Sequence, residues 1–274
     1  MKKIISMVTL GAVMLAGLTG CGAAEKKVGA QDAKVITYGK AAGPYTILFE
    51  EAIIPILERE GYSFKCVEFS DLLQSDTALN EGEIDVNVEQ HTAYMENFNQ
   101  SQNGNLTALT PIPTIPAGIY SSVHDSLQAI EEGAKIALPS DASNASRAYA
   151  ALQKAGWIAL DENVDIARVT ENDIIENFYN LSLIEMDSAN IPRSLDEFDY
   201  AIIPGSIAYS AGIDMSSALL YEDILEHLLL QVVINKDNEE SEWAKAIAAA
   251  YNSDEFLQYM EENNDGLWYV PNSN

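Results

Sequence analysis

Short apolar runs alternate along the chain with segments of helical spacing. Runs at 35–38, 64–69 and 84–88 predict strands, and the two segments between them, 46–59 and 70–80, have the apolar periodicity of helices. Pro55 lies inside the first predicted helix and is expected to kink it. The order strand, helix, strand, helix, strand predicts a parallel α/β sheet.

The pattern changes between residues 106 and 121. Pro111, Pro113 and Pro116 argue against a helix and a central strand there, and they favour an extended crossing between two lobes. A second α/β unit follows, with strands predicted at 136–138, 183–186 and 200–203 and helices at 142–154 and 169–179. The apolar run at 228–234 predicts a strand that forms the second crossing. Helices predicted at 240–251 and 254–262 are expected to pack on the first lobe.

The first 20 residues predict a signal peptide, because a basic start precedes a short apolar run rich in small residues. This run ends in LTGC at 18–21, which resembles the lipobox of bacterial lipoproteins. Cleavage before Cys21 would leave a lipid-modified residue, a flexible tether over 21–33, and a protein anchored on the extracytoplasmic face of the cell membrane. The alternative is an ordinary secretion signal with a chance cysteine. Cys66, on an alternating strand, is expected to be buried.

The overall charge narrows the range of partners. Of the 274 residues, 15 are basic and 42 are acidic, which gives a formal charge of −27. Such a balance argues against nucleic-acid binding and against a protein face that lies on an anionic bilayer. Two cysteines and three scattered histidines provide no metal-ligand spacing, so neither a metal nor a cofactor is expected.

The densest group of polar side chains follows the strand predicted at 84–88. It consists of Asn87, Glu89, Gln90, His91 and Tyr94. Because ligands of α/β proteins bind outside the carboxyl ends of the strands, this group predicts a ligand site.

A second group follows the strand predicted at 136–138 and begins the next helix. Ser143 or Asn144 is a candidate N-cap, and Arg147 follows one turn later. Free backbone N–H groups and a guanidinium together can receive an anion such as a carboxylate. A capped helix with a solvated arginine is the other interpretation, and this motif alone does not separate the two.

A third group lies at 202–209, where a strand runs into Pro204 and Gly205 and the backbone can approach something closely. Ser206 is either a ligand contact or a plain turn residue. The sequence has no nucleophile elbow, phosphate loop, zinc-protease or dinucleotide motif, so an enzyme is not expected. Asp85 and Glu89 are a weak candidate acid–base pair for a rival hydrolase or transferase.

With these motifs the chain resembles the methionine-binding lipoproteins of the NlpA type, which are substrate-binding subunits of methionine-uptake ABC importers. The matching segments are VEFSD at 67–71, IDVN at 84–87 with Gln90, His91 and Tyr94, AGIYS at 117–121, PSD at 139–141 with Ser143, Asn144 and Arg147, IPRSLD at 191–196 and YNSDE at 251–255. The resemblance covers most of the chain after the tether.

The resemblance implies a type II periplasmic-binding-protein fold, in which two α/β lobes joined by a two-segment hinge enclose an interlobe cleft. Lobe I is then expected at 34–114 and 230–274, and lobe II at 115–229. It also implies that an amino acid or small peptide binds in the cleft and is delivered to an ABC permease. The ligand carboxylate would meet Asn144 and Arg147, while Asn87, His91 and Tyr94 would shape the side-chain end.

Two departures from the family pattern affect the expected ligand. Aromatic residues usually precede the Gln-His pair, but Val88 and Glu89 stand there, and Pro204 and Ser206 replace asparagines of the family. An unpaired carboxylate in a thioether pocket is costly, so Glu89 predicts a more polar or cationic ligand unless it faces solvent or pairs with a lysine. The alternative function is a surface lipoprotein that acts as an interaction module with a degenerate cleft.

Overall fold

The computed structural model describes residues 35–41 and 43–271. Its strands are β1 (Val35–Lys40), β2 (Ser63–Glu68), β3 (Val86–His91), β4 (Leu106–Ile112), β5 (Gly118–Tyr120), β6 (Lys135–Pro139), β7 (Ile158–Leu160), β8 (Ile174–Asn177), β9 (Ser182–Met186), β10 (Tyr200–Ile203), β11 (Leu220–Tyr221) and β12 (Leu230–Asn235). Its α-helices are α1 (Pro44–Leu48), α2 (Ile54–Arg59), α3 (Leu72–Glu81), α4 (Thr92–Gln102), α5 (Ala142–Lys154), α6 (Gly205–Ser210), α7 (Glu242–Tyr251) and α8 (Asp254–Asn263). The predicted signal peptide, Cys21 and the tether lie outside the described residues.

The first sheet has the strand order β2-β1-β3-β12-β4. Strands β1, β2 and β3 are parallel, as predicted, and β12 enters antiparallel between β3 and β4. Strand β4 lies at the sheet edge, where Pro111 is tolerated because one side of an edge strand needs no donor. The segment predicted as a crossing therefore begins as an edge strand and leaves the sheet after Ile112.

The strand predicted at 84–88 is displaced toward its polar end. Strand β3 includes Gln90 and His91, because β12 pairs with both of them. Cys66 is exposed, and its predicted burial is therefore wrong. It lies on β2, the other edge of the sheet, whose outer side is not covered by a further strand.

The helix predicted at 46–59 is continuous from Pro44 to Arg59 but contains a π-helical turn, Phe49–Ile53, between α1 and α2. Pro55 stands in the first turn of α2. A proline inside an α-helix lacks an N–H and clashes with the preceding turn, and a widened turn accommodates both defects. The predicted kink therefore takes the form of a π segment.

The second sheet has the order β11-β5-β10-β6-β9, with β10, β6 and β9 parallel and β5 antiparallel to β10. Helix α5 has the predicted bounds, and Gly156 follows it with a φ of 76°, a conformation that glycine adopts without strain. Both sheets carry helices on their faces, so the chain has the two-lobed α/β fold that was predicted.

The helix predicted at 169–179 is wrong. A 3₁₀ turn, Ile166–Arg168, precedes this segment. The segment itself forms a second 3₁₀ turn, Glu171–Asp173, followed by β8, which pairs antiparallel with β7. Thr170 and Asp173 form a capping box, but the helical turn that they begin ends at Asp173. After β8, the side chain of Asn177 accepts from the N–H of Leu181 and donates to its C=O. Apolar spacing suited a helix, but β-strand pairing with residues 158–160 prevailed.

The chain passes between the two sheets twice, from β4 to β5 and from β11 to β12. The predicted lobe boundary at 114/115 falls within the first passage, and the one at 229/230 falls at the end of the second. The division of the chain into lobe I and lobe II at these positions stays a prediction. The C-terminal helices α7 and α8 pack on the first sheet and its π turn, with Trp243 and Ile247 in the larger core. Within the described ranges, no helix is both long and apolar enough to cross a membrane.

Candidate functional site

A cavity of about 680 Å³ opens where the carboxyl ends of parallel strands from both sheets face each other. Each of these strands contributes to the cavity wall at its carboxyl end. In the order β1, β2, β3, β6, β9 and β10, the contributed residues are Ala41, Ser70, Glu89 to His91, Ser140, Asp187 and Pro204. This is the location at which open α/β sheets bind ligands. Its volume lies within the range of about 300–1,000 Å³ that small-molecule sites occupy.

The structure brings together six of the seven residues that the sequence singled out for binding. Those on the cavity wall are Glu89, His91, Tyr94, Asn144, Arg147 and Ser206. Asn87 does not lie there: it is fully buried behind the wall, where its amide donates to Ser75 Oγ and Asp76 Oδ1 and its oxygen accepts from the Glu89 N–H. The pairing of β3 with β12 shifts register between Asn87 and Gln90, which interrupts the alternation of side chains along β3. Asn87 therefore faces Asp76 of α3 and does not line the cavity.

Glu89 faces the cavity next to the first turn of α1. Its carboxylate accepts from both the N–H and the hydroxyl of Thr46, and a Cβ added to Gly43 would lie 3.1 Å from Glu89 Oε2. Burial raises the pKa of Glu89 to about 7, although the Thr46 bonds oppose the shift. Within residues 35–41 and 43–271 no basic side chain forms an ion pair with Glu89, so the lysine alternative does not describe it. Its side chain is partly buried and lies on the cavity wall.

Val88 points away from Glu89, into the larger hydrophobic core, and is 1% exposed. It therefore replaces an aromatic of the family pattern without lining the cavity. Of the two departures before Gln90, only Glu89 changes the chemistry of the wall.

His91 ends β3 and caps α4. Its Nδ1 accepts from the Tyr94 N–H, so Nε2 carries the proton and faces Asn144 Oδ1 at 3.4 Å. Burial lowers the pKa of His91 to about 3, and the nearby Arg147 charge adds to the effect. The imidazole is thus a neutral donor that connects the end of the first sheet with α5 of the second.

Arg147 is held in the wall by an acidic residue that the sequence analysis missed. Glu222 accepts from Arg147 Nε and Nη2, and the two side chains are only 5% and 4% exposed. Burial by itself lowers the pKa of Arg147, but Glu222 outweighs burial and raises it. Arg147 is therefore a buried, permanently charged group, and the solvated-arginine alternative is wrong.

The guanidinium is oriented but not saturated. Besides Glu222, its Nη1 donates to Asn144 Oδ1 at 2.8 Å. A guanidinium has five N–H groups, so these three bonds leave two for a ligand at the cavity wall. The sequence signal for Glu222 was weak, because it lies in an acidic segment 75 residues from its partner.

Asp141 is the N-cap of α5, and the prediction of Ser143 or Asn144 as the cap is wrong. Its Oδ1 accepts from the Asn144 N–H at 3.0 Å, and both of its oxygens accept from Asn144 Nδ2 at 3.1 Å. Asp141 therefore takes an N–H of the helix start that a ligand anion would need. It also turns Asn144 Oδ1 toward His91 and Arg147.

The sequence predicts that the backbone at Pro204 and Gly205 approaches another group closely. In the structure that group is the backbone at Ile115 and Pro116. A Cβ on Gly205 would lie 2.5 Å from the Ile115 carbonyl oxygen and 2.7 Å from that of Pro116. Glycine is therefore required where α6 begins against the first passage between the sheets. Ser206 follows on the cavity wall.

A segment that the sequence analysis did not consider for binding forms the far wall. Asp187, Ser188 and Arg193 line the cavity at the start of the 3₁₀ segment Ser188–Glu197. Ser188 Oγ is buried without a hydrogen-bond partner. In the described part of the chain, no three His, Cys, Asp or Glu side chains are grouped as a metal site would require.

Comparison with known proteins identifies relatives over nearly the whole described chain. The model of the NlpA lipoprotein family matches residues 36–271. The D-methionine-binding lipoprotein MetQ of Escherichia coli K12 is 30% identical over 244 residues, which cover 88% of each chain. The relatives are binding proteins, in agreement with the prediction that the chain is not an enzyme.

Solved structures give the same result. A nutrient-binding protein from Burkholderia cenocepacia bound to methionine matches with a TM-score of 0.80 and 28% identity, covering 86% of this chain and 99% of that one. A putative lipoprotein from Ruminococcus gnavus has a TM-score of 0.80 and 34% identity, covering 87% and 99%. These likenesses confirm the predicted two-lobed fold.

Proposed function

The chain belongs to the NlpA lipoprotein family, and from this premise we propose that it is a solute-binding protein that delivers a small molecule to an ABC importer. Its two lobes close over the ligand and perform no chemistry. The names of the relatives support this role. The intact polar cavity supports binding over a degenerate cleft, which the alternative of a surface interaction module requires.

The protein is proposed to be attached to the extracytoplasmic face of the cell membrane through acyl chains on Cys21. The LTGC motif after an apolar leader supports this anchor, and several relatives are named lipoproteins. Two or three acyl chains hold a protein at a membrane stably. The tether at 21–33 then lets the two lobes reach a permease in the same membrane.

One end of the cavity is proposed to receive a carboxylate. Arg147 offers two free N–H groups from a fixed position, and Asn144 and the neutral His91 lie beside it. A guanidinium that already has its orientation loses little entropy when it binds a second carboxylate. An amino acid or a small peptide has the required group.

The other end is proposed to favour a polar or cationic group over the thioether of methionine. This proposal rests on one observation: the carboxylate of Glu89 is partly buried on the cavity wall and bonds only Thr46 among the hydrogen bonds of the described chain. A thioether has neither a donor nor a positive charge to offer this carboxylate, whereas an ammonium would form a charge-assisted hydrogen bond with it. Lysine-like amino acids, small basic peptides and amines are the expected ligands.

A thermal-shift screen tests the proposal on the full-length protein. A ligand at 100 times its Kd stabilises the folded state by about 2.7 kcal/mol. We expect a clear rise in Tm with L-lysine or L-arginine and a smaller rise with L-methionine. A large shift with methionine and none with polar or cationic compounds would refute the altered specificity but would leave the binding function intact.

Glu89→Gln is the matched control, since it keeps the shape and the Thr46 hydrogen bonds but removes the charge. The shift with cationic ligands should decrease in this variant, while the shift with methionine should stay the same or increase. If no amino acid, peptide or amine shifts the Tm of either form, the solute-binding function itself is contradicted.

A further inference from the structure

A buried acidic side chain lies directly behind the cavity wall and forms no ion pair with any residue that the structure describes. Asp76, in α3, is completely buried, and its Oδ1 accepts from Gln90 Nε2 at 2.5 Å and from Asn87 Nδ2 at 3.4 Å. Gln90 is 1% exposed and belongs to the wall, between Glu89 and His91. Asp76 therefore supports the strand end that carries two of the proposed ligand contacts.

Both side chains of this pair leave an oxygen unsatisfied. Asp76 Oδ2 and Gln90 Oε1 are each buried, and neither has a hydrogen-bond partner in residues 35–41 and 43–271. It is unusual for two side chains that are hydrogen-bonded to each other to have one unsatisfied buried acceptor each, because nearly all buried polar atoms in proteins form hydrogen bonds. A single added proton removes both defects, since a protonated Oδ2 donates to Oε1 while Nε2 donates to Oδ1.

We propose that Asp76 is a neutral carboxylic acid in the folded protein, joined to the Gln90 carboxamide by two hydrogen bonds, and that this pair is a proton-dependent support of the cavity wall. Asp76 is thus a positioning residue that acts through Gln90. When Asp76 ionises, the pair loses one hydrogen bond, and Gln90 Oε1 is left buried and unpaired. This inference concerns the protein alone and does not depend on which ligand it binds.

The electrostatic surroundings of Asp76 agree with this assignment. Helix α3 packs on β1, β3 and β12, and β12 has no titratable side chain. The titratable groups of β1 and β3 are Tyr38 and Lys40, which both bond Glu50, and Glu89 and His91, which face the cavity. Tyr94, from α4, is the further titratable group whose pKa responds to Asp76, and it supplies no positive charge.

Burial accordingly raises the pKa of Asp76 from its ordinary value near 3.8 to about 8, and the Gln90 bond only partly opposes the shift. The unfolded chain ionises near pH 4, whereas the folded protein holds the proton up to about pH 8. The contribution of Asp76 to stability is therefore complete below pH 4 and decreases as the pH rises to about 8. Above pH 8 both states are ionised, and no further loss follows.

The protonation state can be read directly in the unmodified protein. In full-length protein with ¹³C-labelled aspartate side chains, one carboxyl carbon should keep the chemical shift of a neutral acid at pH 7 and titrate near pH 8. This signal should disappear in Asp76→Asn and persist in Glu89→Gln, which removes a partly buried carboxylate of the cavity wall. If every aspartate signal is that of an ionised carboxylate at pH 7, the proposal is wrong.

Asp76→Asn also provides a test of stability, because an asparagine amide can donate to Gln90 Oε1 and accept from Nε2 at every pH. The difference in Tm between Asp76→Asn and the unmodified protein should grow by roughly 3 °C per pH unit between pH 5 and pH 8 and then remain constant. A difference in Tm that does not change with pH would contradict the proposal. That result is expected if Asp76 is ionised in the folded protein and a water molecule donates to its free oxygen. Should Asp76→Asn fail to fold, the carbon titration of the unmodified protein still decides.

Discussion

At the scale of single residues, the cavity is defined by how its charges are partnered. Arg147 and Glu222 form an almost fully buried pair, whereas Glu89 is partly buried, with a hydroxyl and an amide N–H as its hydrogen-bond partners. One end of the cavity is therefore neutralised but still has N–H groups to donate. The other end has a charge for which a ligand could provide the counter-ion.

We expect Arg147 to be necessary for ligands that have a carboxylate. Arg147→Ala alone would leave Glu222 buried without its partner and destabilise the fold by about 3–5 kcal/mol. The double variant Arg147→Gln/Glu222→Gln removes both charges and is the better test. It should lose amino-acid binding in calorimetry but keep binding of an amine without a carboxylate, and unchanged amino-acid affinity would remove Arg147 from the site.

Glu89 gives a prediction for pH dependence. Because burial raises its pKa from 4.5 to about 7, the free protein carries a protonated Glu89 below that pH. The affinity for a cationic ligand should therefore rise by about tenfold per pH unit as the pH approaches 7 and level off above it. Glu89→Gln should bind the same ligand about 10- to 100-fold more weakly at pH 8 and without this slope. An equal slope in both forms would contradict the assignment.

At the scale of elements, the start of α5 combines stability with binding. Asp141 caps the helix and also bonds the Asn144 amide, which in turn faces Arg147 and His91. One N-cap residue, Asp141, thus stabilises the helix and also orients a side chain of the cavity wall. The sequence motif was recognised, but Asp141 caps the helix in place of the predicted Ser143 or Asn144.

Asp141→Ala should lower the free energy of unfolding by about 1 kcal/mol, which corresponds to a fall in Tm of roughly 2–4 °C. It should also weaken ligand binding, because the side-chain amide of Asn144 loses both of its hydrogen bonds to Asp141. Ser241→Ala is the matched control, since Ser241 caps α7, which lies outside the cavity wall. The two variants should lose a similar amount of stability, but only Asp141→Ala should lose ligand affinity. That result would support a role of Asp141 in both helix capping and binding. Equal affinities in both variants would contradict it.

At the scale of the whole molecule, the cavity takes side chains from both sheets, and the His91–Asn144 contact connects them. Ligand binding should therefore protect the ends of two separate sheets together. In hydrogen exchange, amides at the β3–α4 junction and at the start of α5 should slow in parallel when ligand is added, while β7 and β8 should remain unchanged. Protection of one sheet only would exclude closure of the two lobes over the ligand.

The local sequence was sufficient for much of the fold. Helix α5, strand β10 and the C-terminal helices were predicted to within two residues, because their apolar periodicity agrees with their packing. The helix at 169–179 failed, because pairing of β8 with β7 is a tertiary effect that local spacing does not contain. Cys66 failed for a related reason, since alternation along a strand does not say whether the strand lies at a sheet edge.

The sequence by itself determined the fold class, the two polar strand ends and the unusual carboxylate at Glu89, because residue types and their spacing carry this information. Only the tertiary structure decided where each side chain points. It turned Asn87 away from the cavity, placed Glu89 in it, and brought Glu222 to Arg147 across 75 residues. The physical reason is that the register of a strand against its partner and the charges around a buried group depend on neighbours that are distant along the chain.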